Sequence, residues 1–327
     1  MRRCFVCAAD MLAPSGRHLV YPGGQRRAFP VACGSCGVLL AAEADPGACR
    51  AHLARSLSEP VFASDPKAPY GLDLYTLRCA ATRHGLGARP LDAAGHADLR
   101  HPHGTRAARA ALFALDATGG CRVSLGLLCR PEDRDRVIAA LPAQAAWTDD
   151  VVILLDGPVM APVPSPVAGL AEGAVRIAAR PLDGDFAAQR NALQTLARHG
   201  WVLQLDADEA LGPATARLLP GLAALAEAGG VVSIGLPRAN RVDGVLSDVF
   251  PDVQYRLNRT GLRFAGRVHE RPVLDGGWPD SFITLHGAIE HSLSGAHVRA
   301  RSQRYEALDP GRGRPEEAMA LLRPYAD

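Results

Sequence analysis

The stretch that decides the fold is WVLQLDADE, residues 201–209. Its first five residues are largely apolar and predict a buried β-strand, and the acidic residues begin where that strand ends. Asp206 and Asp208, one residue apart, can both reach a hard divalent cation, which can in turn neutralise a diphosphate. An isolated D-x-D is more often a solvated turn, so the surrounding sequence has to decide between the two interpretations.

The same strand belongs to an alternation of strands and helices that begins at Gly119. Helices are predicted at 132–141, from Asp183 or Asp185 to about His199, and from Pro213 onward. Strands are predicted at 122–128, 151–155, 175–178, 201–205 and 231–236. This order predicts an α/β fold with a mixed, mostly parallel sheet and helices on both faces. Ligands of such sheets bind at the carboxyl ends of the strands, where Asp156 and Asp206 both fall.

The first 45 residues contain a different pattern, two C-x2-C pairs made by Cys4 with Cys7 and Cys33 with Cys36. Each pair can place two thiolates on one side of a tetrahedral ion. No export signal is recognised before them, so reduced thiols are expected. We predict a structural Zn²⁺ ribbon at 1–45, with a redox dithiol as the alternative. A closed four-thiolate site has no open coordination position for catalysis.

Composition excludes several classes of protein. Lys and Arg total 36 against 34 for Asp and Glu, and this balance argues against a nucleic-acid partner. No apolar run reaches the roughly 18 to 20 residues of a membrane span, which predicts a cytoplasmic protein. After the ribbon, we predict three further regions: a connecting, partly helical segment of unknown function at 46–118, the α/β domain at 119–305 and a tail at 306–327.

Four motifs occur in order after the connecting segment: DFAAQRN (185–191), WVLQLDADE (201–209), PDVQYRL (251–257) and GRVHE (266–270). Over about residues 121–305, this set resembles the family 2 glycosyltransferases of the GT-A fold. It is most similar to the branch that adds sugars to bacterial lipopolysaccharide core and related surface glycans. The resemblance does not extend to residues 1–118.

The resemblance implies a role for each matching position. Asp206 and Asp208 would hold Mg²⁺ or Mn²⁺ and the donor diphosphate, and Glu270 would be the catalytic base, with His269 as its rival. A histidine after the acceptor strand, His286 or His291, would complete the metal shell, and we select His291. The nucleotide would contact Asp156, Arg190 and Asn191.

The implied activity is that of an inverting glycosyltransferase, which moves a sugar from a nucleotide-sugar to a glycan or lipid-linked acceptor. Peripheral association with the inner face of the membrane is compatible with such an acceptor. Two loops depart from the family pattern: Asp156 stands alone before Gly157-Pro158, and the first strand ends in Cys129-Arg130-Pro131. The alternative is therefore a zinc-ribbon adaptor whose degenerate transferase domain binds a glycan or a partner protein.

Overall fold

The computed structural model describes residues 2–117 and 119–326, so the boundary predicted at residue 118 and both chain ends lie outside the described residues. The described helices are α1 (Pro46–Ser56), α2 (Leu74–Thr82), α3 (Ala93–Asp98), α4 (Arg134–Gln144), α5 (Phe186–Leu196), α6 (Pro213–Ala228), α7 (Gly295–Leu308) and α8 (Pro315–Leu321). The strands are β1 (Leu12–Pro14), β2 (His18–Val20), β3 (Arg26–Ala28), β4 (Val31–Cys33), β5 (Leu39–Leu40), β6 (Val61–Ala63), β7 (Tyr70–Gly71), β8 (Leu86–Pro90), β9 (Arg109–Ala114), β10 (Val123–Cys129), β11 (Val151–Asp156), β12 (Met160–Pro164), β13 (Val175–Arg180), β14 (Trp201–Asp206), β15 (Glu209–Leu211), β16 (Ser233–Leu236), β17 (Arg238–Val242), β18 (Val245–Leu246), β19 (Gln254–Arg259), β20 (Phe264–Ala265), β21 (Arg271–Pro272), β22 (Ser281–Ile283) and β23 (Ile289–Leu293).

An eight-stranded mixed sheet forms the centre of the protein, in the order β12-β13-β11-β10-β14-β19-β16-β22. The strands β13, β11, β10 and β14 are mutually parallel, whereas β12 and β19 run antiparallel to their neighbours. This arrangement confirms the predicted α/β class and the mixed sheet. The sequence analysis did not predict β12, because its two prolines remove backbone donors and confine it to a sheet edge.

Helices cover both faces of this sheet because successive side chains of each strand point to opposite sides. In β11, Val151 and Ile153 lie in the main core with α4 and α6. The alternate residues Val152 and Leu154 pack with Leu193 of α5 on the other face. The crossover helices therefore fix which edge of the sheet is open to a ligand.

The helix α5 begins as predicted and ends earlier than predicted. The side chain of Asp185 accepts a hydrogen bond from the Ala188 amide and caps its first turn. The helix was expected to reach about His199, but it stops at Leu196. The buried carboxylate of Asp150 accepts the Arg198 amide at 2.8 Å, which draws the chain out of the helix.

The N-terminal region packs directly against the large sheet. Strands β1, β4, β5 and β7 form a small sheet, so the predicted ribbon takes its last strand from the segment beyond residue 45. All nine residues of α2 are buried, and Tyr75 donates from its hydroxyl to the Ser281 carbonyl of β22. At Gly221 of α6 a Cβ would come within 2.0 Å of the Leu115 carbonyl oxygen, so only glycine allows this approach.

The predicted tail at 306–327 contains the end of α7 and the whole of α8. Leu321 of α8 packs with Val242, Leu293 and Val298 in a small core of its own. The Tyr325 amide donates to the Leu246 carbonyl at 2.8 Å, which ties the C-terminus to the β17–β18 hairpin. Among the described residues, no helix combines the length and apolar character needed to cross a bilayer.

Candidate active site

The acidic residues of the D-x-D motif lie at the carboxyl end of the central parallel strand. β14 is buried along its length until Asp206, because its residues face helices on both sides. Asp206 is in register with Leu128 of β10, and β11 on the far side of β10 ends at Asp156. The structure thus brings Asp156 and Asp206 to one edge, the crevice where open α/β sheets bind ligands.

Both carboxylate oxygens of Asp206 are bonded to arginines. Arg190 of α5 donates from Nη2 to Oδ1 at 2.9 Å and to Oδ2 at 3.2 Å. Arg256 of β19 donates to Oδ2 at 2.8 Å. Burial raises the pKa of Asp206 to about 8, and the charge of Arg190 opposes that rise. Oδ2 of Asp206 thus accepts from both arginines and Oδ1 from Arg190, which ties Asp206 to α5 and β19.

The ion-pair network continues behind Asp206. Arg238 donates to Glu209 at 2.9 Å and to Asp252 at 2.7 Å, and Arg256 lies 3.4 Å from Glu209. The side chain of Glu209 is fully buried, so these pairs have to compensate its lost hydration. The network holds two more carboxyl groups than guanidinium groups: Asp206, Asp208, Glu209, Asp252 and Glu270 against Arg190, Arg238 and Arg256.

Asp208 lies beside His291, whose Nε2 is 3.4 Å from its Oδ2. Nδ1 of His291 lies 2.7 Å from Oδ1 of Asn240, and the amide nitrogen of Asn240 donates to Asp252. That second bond orients the amide, so Oδ1 is an acceptor and Nδ1 of His291 must carry the proton. With Nδ1 carrying a proton, Nε2 of His291 faces the Asp208 carboxylate: a protonated Nε2 would pair with Oδ2, and a neutral one would present its lone pair to a cation.

The pKa of Asp208 reflects this environment. Burial raises it, but the hydrogen bond and charge of His291 outweigh burial and leave the pKa of Asp208 below its usual value. The carboxylate is therefore ionised at neutral pH and 42% exposed, in contrast to the 5% exposure of His291. An ionised carboxylate and an oriented imidazole make a pair of ligands open to solvent on one side.

The two residues of the predicted His-Glu pair point to different partners. Glu270 accepts a hydrogen bond from Nε of Arg190, and Nη1 of Arg256 is 3.8 Å from the same oxygen. His269 adopts a left-handed backbone, its Nε2 lies 2.9 Å from the Arg312 carbonyl oxygen, and its ring packs on Tyr305. The structure therefore places Glu270 in the network with Asp206, and His269 against the α7–α8 connection.

The two remaining predicted nucleotide contacts have structural partners. Nδ2 of Asn191 donates to the Phe264 carbonyl, and its Oδ1 accepts the Phe264 amide at 2.8 Å. Both polar atoms of Asn191 thus hold β20 against α5. The nucleotide contact that the resemblance implies for Asn191 stays a prediction. Asp156 is half-exposed and accepts the Leu182 amide on Oδ1 at 2.9 Å.

The four cysteines of the N-terminal pairs come together in one buried cluster. Their sulfur atoms all lie within 4.8 Å of one another, and Cys4–Cys36 and Cys7–Cys33 are each 3.6 Å apart. Four thiolates about 2.3 Å from a Zn²⁺ ion would be separated by about 3.8 Å, so the cluster fits a tetrahedral ion and not a disulfide. No second group of three or more potential metal ligands gathers this way in residues 2–117 and 119–326.

Matching turns hold the two cysteine pairs. The Ala8 amide donates to the Cys4 carbonyl and the Gly37 amide to the Cys33 carbonyl, each at 2.9 Å, and both donor residues have positive φ. A Cβ at Gly37 would also lie 2.6 Å from the His103 ring, so glycine is required there. Hydrogen bonds from Cys36 and the other two thiols lower the pKa of Cys33, whereas the hydrogen bonds with Cys33 raise the pKa of Cys4 and Cys36, so the four sulfurs share their protons as one coupled cluster.

Comparison with known proteins gives weak matches. No protein-family model matches the chain, and no curated protein matches it. Among solved structures, S. aureus TarS is 11% identical, with a TM-score of 0.33, over 61% of this chain and 42% of that one. Its fragment 1–349 with UDP is 12% identical, with a TM-score of 0.33, and the fragment with UDP-GlcNAc is 12% identical, with a TM-score of 0.34. Each fragment match covers 61% of this chain and 70% of that chain.

These matches show no family. The chain spans less than half of the full TarS chain, and a likeness at this level carries no conclusion about function. The chemistry of this site therefore has to follow from its own residues.

Several residues of the network were given no role from the sequence. Arg256 lies inside the quoted PDVQYRL motif, and a charged residue within a predicted apolar run is the one local signal for a buried ion pair there. Arg238 and Asn240 belong to β17, a strand that the sequence analysis did not predict. No local signal distinguishes them, because their partners Glu209, Asp252 and His291 are distant in sequence.

We expect the purified protein to contain about one equivalent of zinc. Structural zinc in small domains contributes about 10 to 16 kcal/mol of apparent binding free energy, so the cysteine cluster should not form without it. Elemental analysis and thiol titration measure this, with the cysteines protected until a chelator or denaturant is added. Zinc-free folded protein with Cys4, Cys7, Cys33 and Cys36 all freely reactive would contradict the assignment.

Proposed function

We propose that this chain is a metal-assisted, inverting glycosyltransferase of the family 2, GT-A type that uses a nucleotide-sugar donor. The observation that carries the proposal is the pairing of Asp208 with the oriented Nε2 of His291 at the carboxyl edge of the parallel strands. Because only two protein ligands are preassembled, the rest of the shell is left to water and substrate. Mg²⁺ sites that act on phosphates are built in this way, from one or two carboxylates and the phosphate oxygens.

Two basic side chains, Arg130 and His297, lie near Asp208. The pKa of Arg130, directly after β10, is raised mainly by its hydrogen bond with Asp133 and slightly by the charge of Asp208. At His297, in the first turn of α7, burial lowers the pKa and outweighs the opposing charge of Asp208. Arg130 is 59% exposed and pairs with Glu132 and Asp133, and a phosphate near Asp208 would compete with these exposed ion pairs for its guanidinium.

We assign each step of the proposed reaction to a described side chain. When bound, Mg²⁺ or Mn²⁺ neutralises charge on the departing diphosphate. The acceptor hydroxyl oxygen bonds to the anomeric carbon as the bond from that carbon to the diphosphate breaks, and Glu270 takes the hydroxyl proton. Asp206 holds Arg190 and Arg256 in place around Glu270, and its carboxylate would be a further ligand for the metal. Asp156 would contact the nucleotide from the neighbouring strand.

The proposed acceptor is a glycan or a lipid-linked sugar, reached from the cytoplasmic side with peripheral membrane contact. A second candidate function, the zinc-containing adaptor with a non-catalytic domain, is favoured by one observation. Both oxygens of Asp206 are bonded to arginines, as expected if no metal ever binds there.

Thermal unfolding with nucleotide-sugars distinguishes the two functions. We expect one donor among the UDP-, GDP- and CDP-sugars to raise the melting temperature, and Mn²⁺ to increase that rise. Ligand present at 100 times its Kd stabilises the folded state by about 2.7 kcal/mol, which is easily measured. Nucleotide release in the presence of an acceptor then identifies the enzyme. Protection by free glycans alone, with no effect of nucleotide or Mn²⁺, would favour the adaptor.

A further inference from the structure

Arg3 connects the cysteine cluster to the other side of the protein. Its side chain is 4% exposed, and its guanidinium packs 4.2 Å from the centre of the Tyr325 ring. All five of its N–H donors have acceptors in three separate segments. Nε bonds to the Ala326 carbonyl, Nη1 to the carbonyls of Ala8 and Phe250, and Nη2 to the carbonyl and carboxylate of Asp248.

The segment that contains Ala8 is part of the cysteine cluster. Arg3 directly precedes Cys4, and its acceptor Ala8 belongs to the turn that closes the first cysteine pair. The Cys4 amide donates to the Ala9 carbonyl at 2.9 Å, which completes that turn. The direction in which Arg3 leaves the backbone is therefore set by the same turn that presents the Cys4 and Cys7 sulfurs.

The segment that contains Asp248 and Phe250, residues 247–252, contacts the residues that orient the candidate metal ligand His291. The Ser247 amide donates to the Asn240 carbonyl, and the Arg238 amide to the Pro251 carbonyl at 3.1 Å. Asp252, at the end of this loop, bonds to the side chains of Arg238 and Asn240. Asn240 in turn fixes the ring of His291 beside Asp208.

We propose that Arg3 is a positioning residue, through which the zinc-bound cysteine cluster holds the loop 247–252 and so orients His291 for metal binding. The first 45 residues then have a function within the transferase, namely to hold the acceptor side of its site. The consequence for metal binding rests on the proposed function, whereas the consequence for the loop does not.

Arg2 supplies a matched control for the test. It also bonds to the Asp248 carboxylate, at 2.9 Å, but its side chain is 42% exposed and its other partner is the side chain of Asp10. Arg2→Met therefore removes a charge from Asp248 and leaves the carbonyl contacts of Arg3 intact. Arg3→Met removes all of these contacts, and Arg3→Lys retains the charge without the planar array of donors.

The experiment compares these full-length variants by amide hydrogen exchange, zinc content and Mn²⁺ affinity. We expect Arg3→Met to keep its zinc and the protection of β14, while amides of 247–252 exchange faster. The Kd for Mn²⁺ should rise by up to about tenfold, the cost expected when the outer-shell partner Asn240 is displaced and not removed. Arg2→Met should match the parent, and Arg3→Lys should lie between. If Arg3→Met does not fold, removal of zinc from the parent by a chelator should increase exchange at 247–252 before β14.

Parental exchange at 247–252 in both Arg3→Met and zinc-free protein would overturn the proposal. So would exposure of β14 together with the loop, because zinc would then stabilise the whole fold and not the loop in particular. The exchange measurement needs no substrate. A protein that binds no nucleotide-sugar would therefore refute the proposed function while the exchange data still decide the role of Arg3.

Discussion

Replacing Asp208 with asparagine should lower sugar transfer by at least about a hundredfold, or about 3 kcal/mol of transition-state stabilisation. Asparagine preserves the shape of the side chain and removes its charge. The lone pair of His291 Nε2 would then face a neutral amide, and the cation would lose its only exposed carboxylate ligand in the described network. Turnover, measured as nucleotide release, should become less dependent on Mn²⁺, and the Kd for Mn²⁺ should rise.

Asp149→Asn is the matched control for this variant. Asp149 is 50% exposed and bonds to His199 at 2.7 Å, so it also pairs with a histidine, but it lies before β11 at the opposite edge of the sheet. Its replacement should leave turnover and metal dependence unchanged. If Asp208→Asn transfers sugar at the parental rate with the same metal requirement, the D-x-D motif is only a turn and the transferase assignment fails.

Replacing Glu270 with glutamine should also lower turnover by about a hundredfold or more, while donor affinity stays nearly constant. The amide oxygen of glutamine can still accept the hydrogen bond from Nε of Arg190, so the network around Asp206 should persist. What is lost is a carboxylate able to take the acceptor proton. Single-turnover kinetics with saturating donor separate this chemical effect from donor binding.

If Glu270→Gln remains active, another residue must be the catalytic base, and the structure limits the candidates. Burial lowers the pKa of His269, which also lies near the Arg312 carbonyl and away from the network. Asp252 is the other candidate; burial raises its pKa, but the charge of Arg238 and further hydrogen bonds outweigh burial and make it a weaker base. A dead His269→Ala variant beside an active Glu270→Gln would transfer the role to His269.

Much of the fold follows from local sequence. The runs at 151–155 and 201–205 are apolar enough to be buried on both faces, and such runs form central parallel strands whatever surrounds them. The spacing of Cys4 with Cys7 and Cys33 with Cys36 likewise predicts a cluster, because each pair forms one short turn. Asp206 and Asp208 follow β14 directly, so their place at the sheet edge is also local.

The tertiary structure alone decided what these residues bind. Asp206 takes its partners from α5 and β19, and His291 is oriented by Asn240 of β17, so no sequence window contains either set. The early end of α5 has the same cause, since the Arg198 amide bonds to Asp150, far back along the chain. Apolar periodicity depends on neighbours within one helix or strand, whereas ion pairs and buried hydrogen bonds depend on which strands meet. Local sequence therefore determined the strands and their acidic ends, and chain packing determined the charge network that surrounds them.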